Sequence, residues 1–259
     1  MVLSTETILV SDNGSVRLIT MNRADKKNAI TEDMYAAMAD AIYDAQDDAT
    51  IRVVMITGSA DVFTAGNDMG AFLNPKARMG EADQPVERFL QAILTAKKPL
   101  LAAVNGLAIG IGTTMLLHCD LVYAADTARF SVPFINLGLM PEAASSLLLP
   151  RAVGTKKATE MLMFGDFQNA KAALDMGLVN EVFPADRLME KAMERAQKLA
   201  AKPPAALLLI KALLKSEAET TAARMARESA LFGERLQSAE CKEAATAFFE
   251  KRDPDFSNC

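Results

Sequence analysis

Two small-residue loops and one carboxylate are the parts of this sequence that could do chemistry. Ala65-Gly66-Asn67-Asp68 and Gly110-Ile111-Gly112 each follow an apolar run that reads as a buried strand. Small residues let a ligand approach the main chain closely, and backbone N–H groups gathered there suit an oxyanion or a phosphate. Glu142 follows Pro141 and precedes Ala143-Ala144-Ser145-Ser146 and a run of leucines. A lone carboxylate against an apolar wall holds its proton more tightly and can carry it in a reaction. Each feature also has an ordinary reading. The glycines would serve tight turns, and Pro141-Glu142 would open a helix, where a carboxylate favours the dipole. The residues alone leave both readings open.

Other chemistries fail on specific positions. A dinucleotide fingerprint starting at Gly110 needs a glycine at 115, where Met115 stands, and the Gly-Lys-Ser/Thr of a P-loop never occurs. Cys119, Cys241 and Cys259 form no CxxC pair, so no zinc or other metal site, thioredoxin-like motif or disulfide framework is expected, and a reducing compartment fits. The single histidine, His118, lies in Met115-Leu116-Leu117-His118-Cys119 and reads as a packed, hydrogen-bonded side chain. No GxSxG elbow exists, which removes serine-hydrolase chemistry. A net charge of −5 argues against a nucleic-acid partner.

The elements that must position these residues follow from pattern. Strands at 7–10 and 15–21 flank Asp12-Asn13-Gly14, a hairpin signal. Thr31 reads as an N-cap, and Met34, Met38, Ala41, Ile42 and Ala45 follow at helical spacing to Asp47-Asp48. Strands are expected at 52–57, 100–104, 121–124, 128–132 and 179–183, with loops over 58–68 and 105–112 and a helix from there to Cys119. Residues 74–85 read as a surface loop. Two helices broken at Pro150 to Gly154 are expected over 142–165, and helices over 185–201, 204–215, 218–233 and 238–251. With 259 residues, 51% hydrophobic, this predicts a mixed α/β core over 1–184 and a helical segment over 185–259, folding as one cooperative unit. The uncharged run from Pro99 to Leu117 is too often interrupted by Gly, Asn and Thr for a membrane span. No targeting signal is evident, so a cytoplasmic protein with no membrane partner is expected.

Three stretches resemble signatures of the crotonase (enoyl-CoA hydratase/isomerase) superfamily. These are Asn22-Arg23-Ala24-Asp25-Lys26-Lys27-Asn28-Ala29, Phe63-Thr64-Ala65-Gly66-Asn67-Asp68 and Asn105-Gly106-Leu107-Ala108-Ile109-Gly110-Ile111-Gly112. Phe130 to Gly138, Gly154, Gly165 and Ala247-Phe248-Phe249-Glu250-Lys251-Arg252 also match, so the likeness covers essentially the whole chain. It implies ββα turns in a spiral, followed by C-terminal helices that assist assembly of a homotrimer or hexamer.

The resemblance further implies an acyl-CoA substrate, which itself carries the coenzyme A, with no other cofactor. Its thioester oxygen would sit between the N–H groups of Asn67 and Ile111. Hydratases of the family use two glutamates, and the corresponding positions hold Thr114 and Phe134. Eight positions beyond Phe134 stands Glu142, and Leu137-Gly138-Leu139-Met140-Pro141-Glu142 resembles the peroxisomal-type Δ3,Δ2-enoyl-CoA isomerases of fatty-acid β-oxidation, in which this glutamate is the base. A double-bond shift needs one base, so the expected function is enoyl-CoA isomerisation. The alternatives are another crotonase-type acyl-CoA enzyme, such as a hydratase or hydrolase, and a non-catalytic acyl-CoA binding module. Lys26, Lys27, Ala29, Ala65, Asp68 and Met69 are the implied CoA contacts, with Lys251 reaching a neighbouring subunit's CoA. Phe89, Leu94, Phe134 and Phe164 are the candidates for limiting acyl length.

Overall fold

In a computed structural model, residues 4–68, 70, 84–216, 219–257 and 259 are described. Gly14 and Ser15 close the first hairpin, Gly14 at φ +59°, between β1 (Ile8–Asn13) and β2 (Val16–Met21). Helix α1 (Glu32–Asp47) begins where the Thr31 hydroxyl accepts from the Met34 N–H (3.3 Å), with Glu32 and Asp33 complementing the dipole. Its buried stripe is Met34, Tyr35, Met38, Ala41, Ile42 and Ala45.

From here the chain repeats one motion. A buried strand enters a first sheet, turns within a few residues, and leaves a three-residue strand in a second sheet. The pairs are β3 (Val53–Gly58) with β4 (Val62–Thr64), β5 (Leu100–Val104) with β6 (Leu107–Ile109), and β7 (Leu121–Ala125) with β8 (Arg129–Ser131). Adding β9 (Gln168–Asn169) and β10 (Glu181–Phe183), the sheets run β1-β2-β3-β5-β7-β10 and β4-β6-β8-β9. Among the described strand pairs only β1–β2 and β8–β9 are antiparallel. The corners are tight: a Cβ on Gly106 would lie 1.9 Å from the carbonyl oxygen of Asp61. This is the spiral that the resemblance implied.

The short strands β4 and β6 fall inside stretches expected as loops. Three residues are too few for a period-2 pattern to register. Helix α2 (Pro85–Thr95) has no counterpart in the expectations, although it opens on Pro85 and buries Phe89, Ala92 and Ile93. The surface loop expected over 74–85 lies mostly outside the described residues. The apolar run at 99–117 divides into β5, β6, α3 (Ile111–Thr114) and a 3-10 turn over Met115–His118, replacing the single helix expected up to Cys119.

Beyond β8 come a 3-10 turn over Pro133–Leu137, α4 (Ser145–Val153), α5 (Thr155–Phe164) and α6 (Ala170–Asp175). Pro150 lies inside α4 and does not end it; the break comes at Gly154, φ +79°. Helix α7 (Leu188–Ala200) carries the chain out of the first of two compact units, Met1–Gln197, into the second, Lys198–Cys259. The second unit contains α8 (Pro204–Lys215), α9 (Thr221–Leu236) and α10 (Ala239–Glu250). It exposes Met225, Phe232, Leu236, Phe248 and Phe249. Among the described residues no helix is long and apolar enough to cross a membrane, and no cluster of three or more His, Cys, Asp or Glu could hold a metal ion.

Candidate active site

The site begins with Asn28, fully buried at φ +52°. Its Nδ2 donates to the carbonyls of Val62 (2.7 Å) and Ser59 (3.3 Å), its Oδ1 accepts from the Arg23 N–H (2.8 Å), and its carbonyl accepts from Thr64 Oγ1 (2.6 Å). The Ala65 N–H donates to Lys27 O (2.9 Å) and the Gly66 N–H to Thr64 Oγ1 (3.0 Å). One buried asparagine therefore fastens the 22–29 segment onto the first loop. Such a group is stable inside because its donors and acceptors are satisfied.

A single parallel bridge sets the direction of Asn67. Ile30 N–H donates to Gly66 O (2.8 Å), and Asp68 N–H donates to Ile30 O (2.9 Å). In a parallel bridge the residue flanked by these two bonds turns its own N–H away from the partner strand. Gly66, at φ +91°, permits the approach to β6, since a Cβ there would lie 2.8 Å from Ile109 O. Ile111 is the first residue of α3, where leading N–H groups lack intrahelical partners.

Glu142 reaches the same space from the other side. Its carbonyl accepts from the N–H (2.9 Å) and hydroxyl (2.6 Å) of Ser145. Ala143 and Ala144 both hold positive φ, at +51° and +53°, a conformation costing non-glycine residues about 1–2 kcal/mol each. His118 Nε2 donates to Ala143 O (2.9 Å) and secures that turn, so His118 is a buried structural residue. The Glu142 carboxylate accepts a hydrogen bond from Thr114 Oγ1. Its pKa is raised from 4.5 to about 7, chiefly by burial and in smaller part by the charge of Glu87 on α2, against the lowering by Thr114.

Ala65, Asn67, Ile111 and Glu142 thus line one cavity of about 640 Å³, with Phe134, Leu137, Leu139 and Met140 as its apolar walls. The other expected contacts divide. Asp68 Oδ2 pairs with Arg23 Nη1 at 2.5 Å, which keeps its carboxyl below the usual range. Lys26 and Lys27 are exposed, Ala29 is half-buried, and none of the three lines this cavity. Met69 lies outside the described residues. Lys251 caps α10 at φ +56° in the second unit. Of the four residues expected to limit acyl length, Phe134 lines the cavity, Phe89 packs in the core against Tyr35, and Leu94 and Phe164 are exposed.

Two members of the site had no place in the expected machinery. Thr114, which the resemblance aligns with an acid of the hydratases, is the hydrogen-bond partner of Glu142. Tyr35 is buried, and its hydroxyl donates to Asn67 Oδ1. Its signal was present in the sequence: a polar-tipped ring on the buried stripe of α1 requires a partner.

A carboxyl of raised proton affinity and two small-residue loops lining one apolar cavity are an arrangement able to move protons beside a carbonyl. The chain belongs to the enoyl-CoA hydratase/isomerase family, the crotonases, whose model matches residues 11–258. It is 38% identical over 250 residues to enoyl-CoA delta isomerase 2 of Rattus norvegicus, covering 95% of this chain and 64% of that protein. It is 36% identical over 252 residues to the 2,3-dehydroadipyl-CoA hydratase of Escherichia coli K12, covering 96% of this chain and 98% of the hydratase. A solved Magnetospirillum magneticum AMB-1 protein carrying an enoyl-CoA hydratase/carnithine racemase designation superposes with a TM-score of 0.94 at 46% identity, over 98% of this chain and 100% of that one.

Proposed function

We propose that this protein is a Δ3,Δ2-enoyl-CoA isomerase acting by a single base. Glu142 takes a proton from C2 of a 3-enoyl-CoA thioester. The electron pair moves through the C3–C4 double bond and the carbonyl into a dienolate, and the same carboxyl returns the proton to C4, leaving the trans-2-enoyl thioester. The N–H groups of Asn67 and Ile111 hold the thioester oxygen as charge develops on it, each such donor contributing about 3–4 kcal/mol. Lys26, Lys27, Ala29, Ala65, Asp68 and Met69 are the proposed CoA contacts, with Lys251 from a neighbouring subunit. The exposed apolar residues of the second unit support a homotrimer or hexamer.

The observation that carries the isomerase reading is Thr114 hydrogen-bonded to Glu142. By the resemblance, the position of a hydratase's first acid holds the Thr114 hydroxyl, and that of the second holds Phe134, an apolar wall of the cavity. One carboxylate whose pKa lies near 7 can both remove and return a proton.

The likeness to a hydratase over nearly its full length gives the competing reading its weight. A coupled assay on trans-3-hexenoyl-CoA, run beside direct hydration of crotonyl-CoA, separates the two. Isomerisation with little hydration is the expected result. Hydration at a comparable rate would overturn the single-base reading, and Glu87, whose charge acts on Glu142, is then the second carboxylate to test. Neither activity, with CoA still bound, would favour a different acyl-CoA reaction or a binding module.

A further inference from the structure

We propose that Tyr35 is a positioning residue of the site, locking the Asn67 side chain so that the Asn67 N–H keeps its aim at the substrate carbonyl. The proposal deepens the acyl-CoA reading of the same cavity and rests on it.

Asn67 is gripped at two places. Its neighbours are bonded to Ile30 on the side away from the cavity, which sets the peptide plane. Its side chain accepts from Tyr35, a residue of a different element, the first helix. An isolated bridge is the shortest possible ladder and resists twisting poorly, so a second restraint on the same residue matters. Tyr35 can provide one because its ring is itself immobile. It is 4% exposed and packs against Phe89 at 5.4 Å between ring centroids, tilted by 46°. The phenol also stays a donor at every working pH, since burial, with help from the Glu142 charge, pushes its pKa well above the ordinary value of 10. That electrostatic link puts the hydroxyl within the field of the candidate base. Tyr35 thus touches the donor side of the site and senses the base side, while standing behind the residues that line the cavity.

Tyr35→Phe removes only the hydroxyl and keeps the ring on Phe89. The loss of one buried hydrogen bond that holds a catalytic donor predicts a kcat about tenfold lower, with KM within about twofold of wild type. The discriminating measurement is a double-mutant cycle with Asn67→Ala, which keeps the backbone N–H and deletes the side chain that Tyr35 holds. Tyr35→Phe in the Asn67→Ala background is expected to cost nothing further. Equal losses in both backgrounds would overturn the proposal, leaving Tyr35 a packing residue, and so would a Tyr35→Phe variant of unchanged kcat.

A second readout does not depend on which reaction the enzyme performs. 4-Dimethylaminocinnamoyl-CoA is a push–pull thioester whose absorbance moves to the red when its carbonyl oxygen is polarised by hydrogen bonds. A smaller red shift in Tyr35→Phe at undiminished affinity is expected. A shift equal to wild type would overturn the proposal, as would a wild-type protein that binds the probe without shifting it. A wild-type shift without isomerisation would instead overturn the isomerase reading and leave the role of Tyr35 to be decided by the probe.

Discussion

Replacing Glu142 with Gln tests the central physical claim without relying on catalysis. The raised pKa means that the folded protein holds this proton more tightly than the unfolded chain does. Below pH 4.5 both states are protonated and the site carries no penalty. As pH rises from 4.5 towards 7 the unfolded chain ionises while the folded protein does not, so wild type loses stability across that window; above about pH 7 the penalty is constant. At 1.36 kcal/mol per pH unit, the full penalty is up to about 3 kcal/mol. Gln carries no such charge, is nearly isosteric, and its amide oxygen can still accept from Thr114. Urea unfolding of both proteins from pH 4 to 8.5 should therefore show Glu142→Gln gaining on wild type through the interval 4.5–7, by up to about 3 kcal/mol, and holding that lead above it. By heat, a chain of this size should show roughly 6–10 °C. Isomerase activity should fall by about 10²–10⁴-fold in the same variant. A stability difference that stays flat with pH would refute the claim that burial holds this carboxyl up.

Two further predictions use the same structure. Thr114→Val deletes the hydrogen bond that lowers the Glu142 pKa, so the rise of kcat/KM with pH should move to higher pH; a midpoint displaced to lower pH would contradict the geometry. Gly106→Ala places a Cβ 1.9 Å from a main-chain oxygen that cannot swing aside, so a loss of about 3 kcal/mol or more is expected, read as failure to accumulate folded protein or a sharply lowered Tm.

The sequence by itself determined the regular parts of this protein. Val53 to Ile56 and Leu100 to Val104 are continuous apolar runs, and a strand buried on both faces announces itself in that way. Thr31 with its acidic first turn and the Asn13-Gly14 corner are local signals that act over a few residues, so tertiary structure had little to override. Family motifs carried the expectation to Asn67, Ile111 and Glu142, and these meet in one cavity. Tertiary structure alone decided the rest. The three-residue strands β4 and β6 hold no period of their own and exist because a neighbour in the second sheet pairs with them. Asn28, Tyr35 and Thr114 look like ordinary members of a loop, a helix and a buried run. Their roles depend on partners 31–36, 32 and 28 positions away, and no local pattern encodes an angle or a distance across that separation. The residues beside Glu142 left a raised proton affinity as one of two open readings; the walls that fold around the carboxylate decided between them.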